Sequence, residues 1–559
     1  MTARGVDLGP GRIAQVCLTW LWLLSSAGAQ SPIQLRDVTR ETGITFRHTD
    51  GGDAGQRYIV ESVSAGLALF DYDGDGDVDV YFLNGAPLRG AKVDAAAKNA
   101  LYRNEGGWKF SDVSQQAGVA DTGYGLGVTV GDYDRDGDPD LYLNNYGPNV
   151  LYRNNGDGTF TDVTRKAGVA NGHKVGAGAA FLDMDQDGDL DLYVANYVKF
   201  TYENHVLRKA RGMPIYADPG DYEPWPDTLY RNNGDGTFTD VSKESGVSAV
   251  AGTGMGMVCL DYDNDGDTDV FVANDIRANF LFQNDGTGKF EEVGLLAGVA
   301  YDGYGRENSS MGSDCGDYDN DGWLDILMTD YQGELPVLYR NLGNGFFEDV
   351  TLRTGAGAGA LPHVNWGTGL VDFDNDGDRD IFYACGHLQH NIELIDDRTA
   401  YEVRNILLMN TGGKFVNVSD QSGDGMLPKL SSRGAAFDDL DNDGDVDVVI
   451  LNSRQAPTVL RNDSRSANHW LQIRLRGRSS NTEGVGARVK VVAGDLTQVD
   501  EVHSGRGYQS HWGTRLHFGL GTHERVDRIE VRWIGGPVDV LEDVEVDQLV
   551  TITEGDGSS

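Results

Sequence analysis

Seven times the chain repeats a nine-residue loop with carboxylates at alternate positions, so any fold it adopts must present this turn seven times and relieve its charge. The copies carry Asp71, Asp73, Asp75, Asp77 and Asp79; Asp132, Asp134, Asp136, Asp138 and Asp140; Asp183, Asp185, Asp187, Asp189 and Asp191; and Asp261, Asp263, Asp265, Asp267 and Asp269. They continue with Asp317, Asp319, Asp321, Trp323 and Asp325; Asp372, Asp374, Asp376, Asp378 and Asp380; and Asp439, Asp441, Asp443, Asp445 and Asp447. Such crowding of like charge is strongly repulsive unless a cation sits among the carboxylates. Calcium, which takes six to eight hard oxygen ligands in a flexible shell, suits short acidic side chains on a turning backbone. Up to seven structural calcium ions are therefore expected.

Positions 1, 3 and 5 would supply side-chain oxygens, position 7 a main-chain carbonyl and position 9 a closing carboxylate. Gly at position 6 permits the sharp turn. The fifth loop tests this internally, because Trp323 stands at position 7 and a backbone ligand tolerates it. An EF-hand would need a bidentate acid at position 12, where the copies carry Phe82, Leu143, Val194, Val272, Met328, Tyr383 and Ile450. Contiguous calcium-roll repeats fail as well, since the copies lie 51 to 78 residues apart. Metal-free Asp/Gly turns are the alternative, and they leave the repulsion unrelieved.

Residues 1–29 read as a secretory signal peptide: Arg4 and Arg12, an apolar run from Ile13 to Leu24, then Ala27-Gly28-Ala29. The run is short for a membrane span and no later stretch matches it, so a secreted or periplasmic protein is expected, with a retained anchor as the competing reading. A net charge of -41 argues against nucleic acid as a partner. Once Cys17 leaves with the signal, Cys259, Cys315 and Cys385 fall in predicted strands, which points to buried free thiols.

Around each loop a longer pattern reads as four strands. A small apolar strand such as Gly178 to Leu182 enters the loop, and Asp140 to Leu143 exemplifies the strand that leaves it. An LYRN segment such as Leu151 to Asn154 follows, then a Gly-rich hairpin and Phe160 to Val163. Four antiparallel strands repeated seven times describe an all-β, seven-bladed propeller over residues 33–463. Leu35 to Phe46 looks like a fourth strand without its own loop, and the last repeat stops after Val459 to Asn462, so the first segment would close the ring.

These loops with interleaved LYRN and F-x-D-V segments resemble the FG-GAP or VCBS-type calcium propellers, specifically the cartilage acidic protein family with its ASPIC/UnbV tail. The tail resemblance rests on Asn468 to Leu471, Gly484 to Val489, Leu516 to Gly521 and Val531 to Trp533. Leu471, Ile473 and Leu475 alternate with Gln472, Arg474 and Arg476, and Ile529, Val531 and Trp533 with Arg528, Glu530 and Arg532. This period of two predicts a small antiparallel β domain over 466–555. Its Arg-rich positions leave open both docking on the acidic propeller and ordinary solvated strand faces.

The face opposite the loops should receive the long insertions, Asn196 to Asp227 and Gly386 to Arg404. Tyr202, His205, Arg208, Tyr216, Tyr222 and Trp225 suit sugar or peptide recognition. His363, His387 and His390 flank blade six and are candidates for a transition-metal site or acid-base work. No nucleophile-base set stands out, and no catalytic residue is assigned. The expected function is a secreted binding or adhesion module for a glycan or protein ligand, not an enzyme. A polysaccharide lyase or glycosidase and an envelope scaffold are the rivals.

Overall fold

Seven four-stranded antiparallel sheets stand in a ring in the computed structural model, which describes residues 31–52, 55–63, 66–91 and 97–557. The expected signal segment, with Cys17, lies outside the described residues. Blade 2 shows the unit: Tyr124–Gly131, Asp140–Gly147, Val150–Asn154 and Phe160–Asp162, each paired with the next. The innermost strands follow one another in contact around the axis, from Leu67–Phe70 to Ser432–Asp438 and back. Crowding near the axis explains their small residues, since a Cβ at Gly127 would overlap the Ala177 carbonyl oxygen of the next blade.

The ring closes as expected, though with a shorter strand. Leu35–Asp37 pairs antiparallel with Thr458–Asn462, Leu35 opposite Asn462, and completes blade 7. Beyond Asp37 the chain leaves the sheet in a one-turn helix, Thr39–Thr42, which ends at Gly43 in the left-handed region (φ 80°). Four further outer strands run into the same helical turn, for instance Ser114–Ala117 with Gly118 at φ 82°. Sequence periodicity had suggested strands alone. Cys259, Cys315 and Cys385 are buried and unpaired. No helix among the described residues is long and apolar enough to cross a membrane.

The C-terminal region forms two small sheets. Arg515–Gly521, His469–Arg476 and Gln548–Thr553 make one; Leu496–Glu501, Arg488–Ala493, Arg525–Arg532 and Val538–Glu545 make the other. One pairing departs from the expected antiparallel pattern, because His469–Arg476 and Gln548–Thr553 run parallel, Leu471 opposite Gln548. The alternation holds on its apolar side: Leu471, Ile473, Leu475, Ile529, Val531 and Trp533 are all buried. Its polar side divides: Gln472, Arg474 and Arg532 reach the acidic loops, whereas Arg476 and Arg528 are exposed.

Candidate metal centres and ligand face

Each acidic loop is built by its own carboxylates. Gly at position 6 sits in the left-handed region in all seven, from Gly76 (φ 96°) to Gly444 (φ 94°), where a side chain would be strained. Its N–H donates to the position-1 carboxylate, as from Gly137 to Asp132 at 2.9 Å and Gly444 to Asp439 at 2.8 Å. Position 9 is held at both oxygens. Asp325 accepts the Tyr318 N–H at 3.1 Å and the Asn341 N–H at 2.8 Å, and Asp79, Asp140, Asp191, Asp269, Asp380 and Asp447 repeat the arrangement.

What remains is oxygen without a donor. The Oδ1 atoms of Asp134, Asp185, Asp263, Asp319, Asp374 and Asp441, all at position 3, and of Asp71 in the first loop are buried and unpartnered. One carboxylate oxygen from each of Asp71, Asp73 and Asp79, of Asp183, Asp185 and Asp191, and of Asp317, Asp319 and Asp325 lies within 4.8 Å of the others. Burial, reinforced by like-charged neighbours, raises these acids: Asp79 to about 9, Asp183 and Asp317 to about 7. A donor set of converging anionic oxygens, one of them orphaned in every loop, fits a hard divalent cation. Positions 1, 3, 5 and 9 with the position-7 carbonyl are the residues that would hold it.

Position 7 directs its side chain elsewhere. Asp77, Asp378 and Asp445 each accept a side-chain amide from the loop before, from Asn442 at 2.8 Å, Asn320 at 3.4 Å and Asn375 at 2.9 Å. Arg135 reaches Asp189 in the same way at 3.5 Å. Trp323 covers Gly343 instead, where a Cβ would meet its ring. A second stitch comes from the LYRN asparagines. Asn154 donates its side-chain amide to the Tyr72 carbonyl of the preceding loop at 2.8 Å, and Asn104, Asn232, Asn284, Asn341, Asn410 and Asn462 do likewise around the ring. The sevenfold recurrence of this Asn was visible in the sequence; its role between blades was not.

The C-terminal domain covers this face and touches every loop. Arg474 approaches Asp71 at 3.9 Å, Thr482 donates to Asp132 at 2.5 Å, Arg532 pairs with Asp261 and Gln472 donates to Asp439 at 2.9 Å. Arg488 bonds the Gly322 carbonyl at 2.8 Å and His517 meets Asn375 at 2.7 Å. Gly188 packs so closely on the Ser479 carbonyl that no Cβ fits. Between its two sheets the domain sends Val502 to Thr514 down the central channel. His503 bonds the Cys259 carbonyl (2.9 Å), Ser504 the Val130 carbonyl (2.5 Å), His511 the Leu67 carbonyl (2.9 Å), and Arg506 pairs with buried Asp314 at 2.5 Å. At the tip, Tyr508 donates to the Val63 carbonyl at 2.5 Å and packs edge-on against Trp366, centroids 5.0 Å apart. Nothing periodic marks this plug in the sequence, since most of its partners are backbone groups.

On the opposite face the two insertions pack over the channel mouth. Tyr216 and Tyr222, expected on display, are buried: Tyr216 lies under the Arg57 guanidinium, 5.1 Å from the ring centroid, and Tyr222 accepts the Val206 N–H. Phe200 and Tyr222 pack with Tyr58 in a hydrophobic cluster that also holds Trp366 and Tyr508. Tyr202 is half-buried beneath Arg89 at 4.2 Å, and Trp225 lies between Lys199 and Lys174 at 5.1 and 5.6 Å. His205 bonds the Gln56 carbonyl at 2.8 Å, and exposed Arg208 pairs with Asp221 at 2.6 Å.

The three histidines find different partners. His387 accepts the Gln389 N–H at 2.9 Å and meets the Tyr331 hydroxyl at 3.2 Å; burial lowers it to about 3. His390 faces Arg57 at 2.9 Å and Arg454 at 3.5 Å, a cationic setting that opposes a metal ion. His363 Nδ1 is buried without a partner. Beside them opens a cavity of about 280 Å³ lined by Tyr197, Tyr216, Tyr331, Trp366, Arg208 and Asp275 among others.

Comparison with known proteins follows the same division. The profile of the FG-GAP-like repeat matches residues 71–143, 132–194, 215–272, 261–328 and 317–383, together more than half of the chain, and that of ASPIC and UnbV matches 477–559. Cartilage acidic protein 1 of Mus musculus is 24% identical over 567 residues, covering 96% of this chain and 79% of the relative. The Homo sapiens protein of the same name is 25% identical over 501 residues, covering 84% and 69%. Solved structures are more distant: an Agrocybe aegerita lectin at TM-score 0.36 and 17% identity, covering 64% of this chain and 81% of its own, and the rhamnogalacturonan lyase YesW at 0.36 and 13%, covering 77% and 75%.

Proposed function

Because the chain belongs to the FG-GAP-like repeat proteins that end in an ASPIC and UnbV domain, we propose that it is a secreted or periplasmic, calcium-stabilised binding module without catalytic activity. Calcium would be structural, neutralising each loop and fixing the turn into the second strand. The observation that carries the reading is the asymmetry of the disc: the C-terminal domain spans all seven acidic loops and fills the channel, which leaves the opposite face, with its insertions and cavity, to receive a glycan or protein ligand.

A lyase acting on an acidic polysaccharide would need cations to hold the uronate. Arg208, the one cationic residue on the cavity wall, is already engaged by Asp221 and Asp218. The reading is tested on glycan and protein arrays, with calcium and with chelator, using wild type and a variant in which Thr201 to Tyr222 is replaced by a short Gly/Ser linker. The excision is feasible because the Lys199 N–H bonds the Glu223 carbonyl at its base. Binding lost both on excision and on chelation supports the module; binding indifferent to both overturns it.

A further inference from the structure

The cavity on the ligand face contains a carboxylate that its own surroundings do not neutralise. Asp275 lies in the long strand Asp269–Arg277, and its Oδ2 accepts the Tyr197 hydroxyl at 2.7 Å. The charges that bear on it are those of Asp218 and Glu334, both acidic, and burial with these neighbours raises it to about 7. Tyr331, on the same cavity, has Asp275, Asp218, Glu334 and Asp396 as its strongest charged neighbours. Arg208 at the exposed rim is committed to Asp221 at 2.6 Å and Asp218 at 3.5 Å. A half-buried anion of this kind is costly to keep charged without a counterion.

The rest of the wall says what shape that counterion has. Tyr197, Tyr216, Tyr331 and Trp366 line the cavity, one face of Tyr216 and one of Trp366 being already covered by the Arg57 and Arg433 guanidiniums, and Met255 and Met311 add flexible apolar side chains. Aromatic faces attract organic cations, and thioethers adapt to an alkyl stem. A neutral sugar would leave the Asp275 carboxylate without a counter-charge.

We propose that this cavity binds a protonated primary amine on an apolar stem, the lysine side chain of a protein partner, with Asp275 as its counterion and the tyrosines and Trp366 around the stem. The inference deepens the module reading and rests on it for the ligand face. It is tested by calorimetric titration of the full chain in calcium with N-α-acetyl-lysine amide, with its neutral Nε-acetylated counterpart and with glucosamine. The amine is expected to bind at least tenfold more tightly than the acetylated probe and more tightly than glucosamine, and Asp275→Asn to lose at least tenfold. The wild-type comparison of charged and neutral stems needs no variant to fold. Equal affinities, no heat from the amine at tens of millimolar, tighter binding of glucosamine, or wild-type affinity in a folded Asp275→Asn protein would each overturn it. A module that still holds its glycan or protein ligand while ignoring the amine would sink this inference alone.

Discussion

The two faces of the disc solve opposite problems. The loop face is sevenfold regular: the same glycine φ, the same N–H to position 1, the same doubly bonded position 9, and an asparagine stitch from each blade to the preceding loop. Regularity suits a face that concentrates negative charge, because whatever relieves the repulsion in one loop can be repeated in all seven. The opposite face is irregular. Its insertions differ in length and pack aromatics into a cluster shared with Trp366 and Tyr508, and some of its buried charges settle pairwise, as Arg454 does with Asp50 at 2.5 Å. Structure is organised by repetition on one side, and variety is concentrated on the other, on the face proposed to receive a ligand.

That contrast breaks most easily at the metal. An ion present at one hundred times its dissociation constant adds about 2.7 kcal/mol per site; seven such sites exceed the ~5–15 kcal/mol of a typical domain. Chelation is therefore expected to abolish the folded state or lower its melting temperature by tens of degrees, and a thermal melt that ignores chelator would refute the structural role of the loops. Tyr508→Ala comes next. The ring is fully buried at the tip of the plug, so its loss should cost about 3–5 kcal/mol, read in denaturant titrations; a near-neutral result would mean that the channel closes without it.

Within one loop, Asp325→Ala should cost about 2–5 kcal/mol, since two buried N–H groups lose their acceptor along with any ion. Trp323→Asp, which restores the acid found in the other loops, should change calcium binding by less than twofold if position 7 serves through its carbonyl. A large gain in affinity from Trp323→Asp would show that the side chain is a ligand after all. On the other face the pH dependence is specific. Burial and Asp50 raise Glu61 from 4.5 to about 7. A folded-state value above the unfolded one contributes stability fully below pH 4.5, and this is lost as pH rises through 7, on the order of 3 kcal/mol. Glu61→Gln should flatten that decline, and parallel pH-stability curves for the two proteins would count against it. Smallest of all is Arg89→Ala, which removes an exposed ion pair with Glu203 and the guanidinium over Tyr202 and should leave the melting temperature almost unchanged; a clear drop would overturn this ranking.

Much of this was legible in the residues. The acidic loops carry their geometry in sequence, because Gly at position 6 reports the left-handed turn found in every copy. Closure by Leu35–Asp37 could be inferred from a strand without a loop at one end and a missing strand at the other. The polar side of the C-terminal strands was ambiguous, since Gln472, Arg474 and Arg532 alternate as solvated residues do and reveal their acidic partners only in three dimensions. Tyr216 and Tyr222 read as displayed because a long polar insertion with aromatics looks like a display; in the fold both are buried, Tyr222 in the hydrophobic cluster and Tyr216 in the cavity wall. The plug escaped notice because His503 to Trp512 recognises mainly backbone atoms of distant strands, which leave no pattern in the chain.

The clasp between Leu35–Asp37 and Thr458–Asn462 has a consequence for biogenesis. During synthesis the opening strand emerges first and then waits, unmated, until its neighbour is translated near the far end of the ring. Six blades can assemble behind it in turn, but the circle stays a horseshoe throughout, and the segment destined for its bore, Val502 to Thr514, follows later still. A truncation anywhere before Asn462 would thus strand both the first strand and the open edge it was meant to cover.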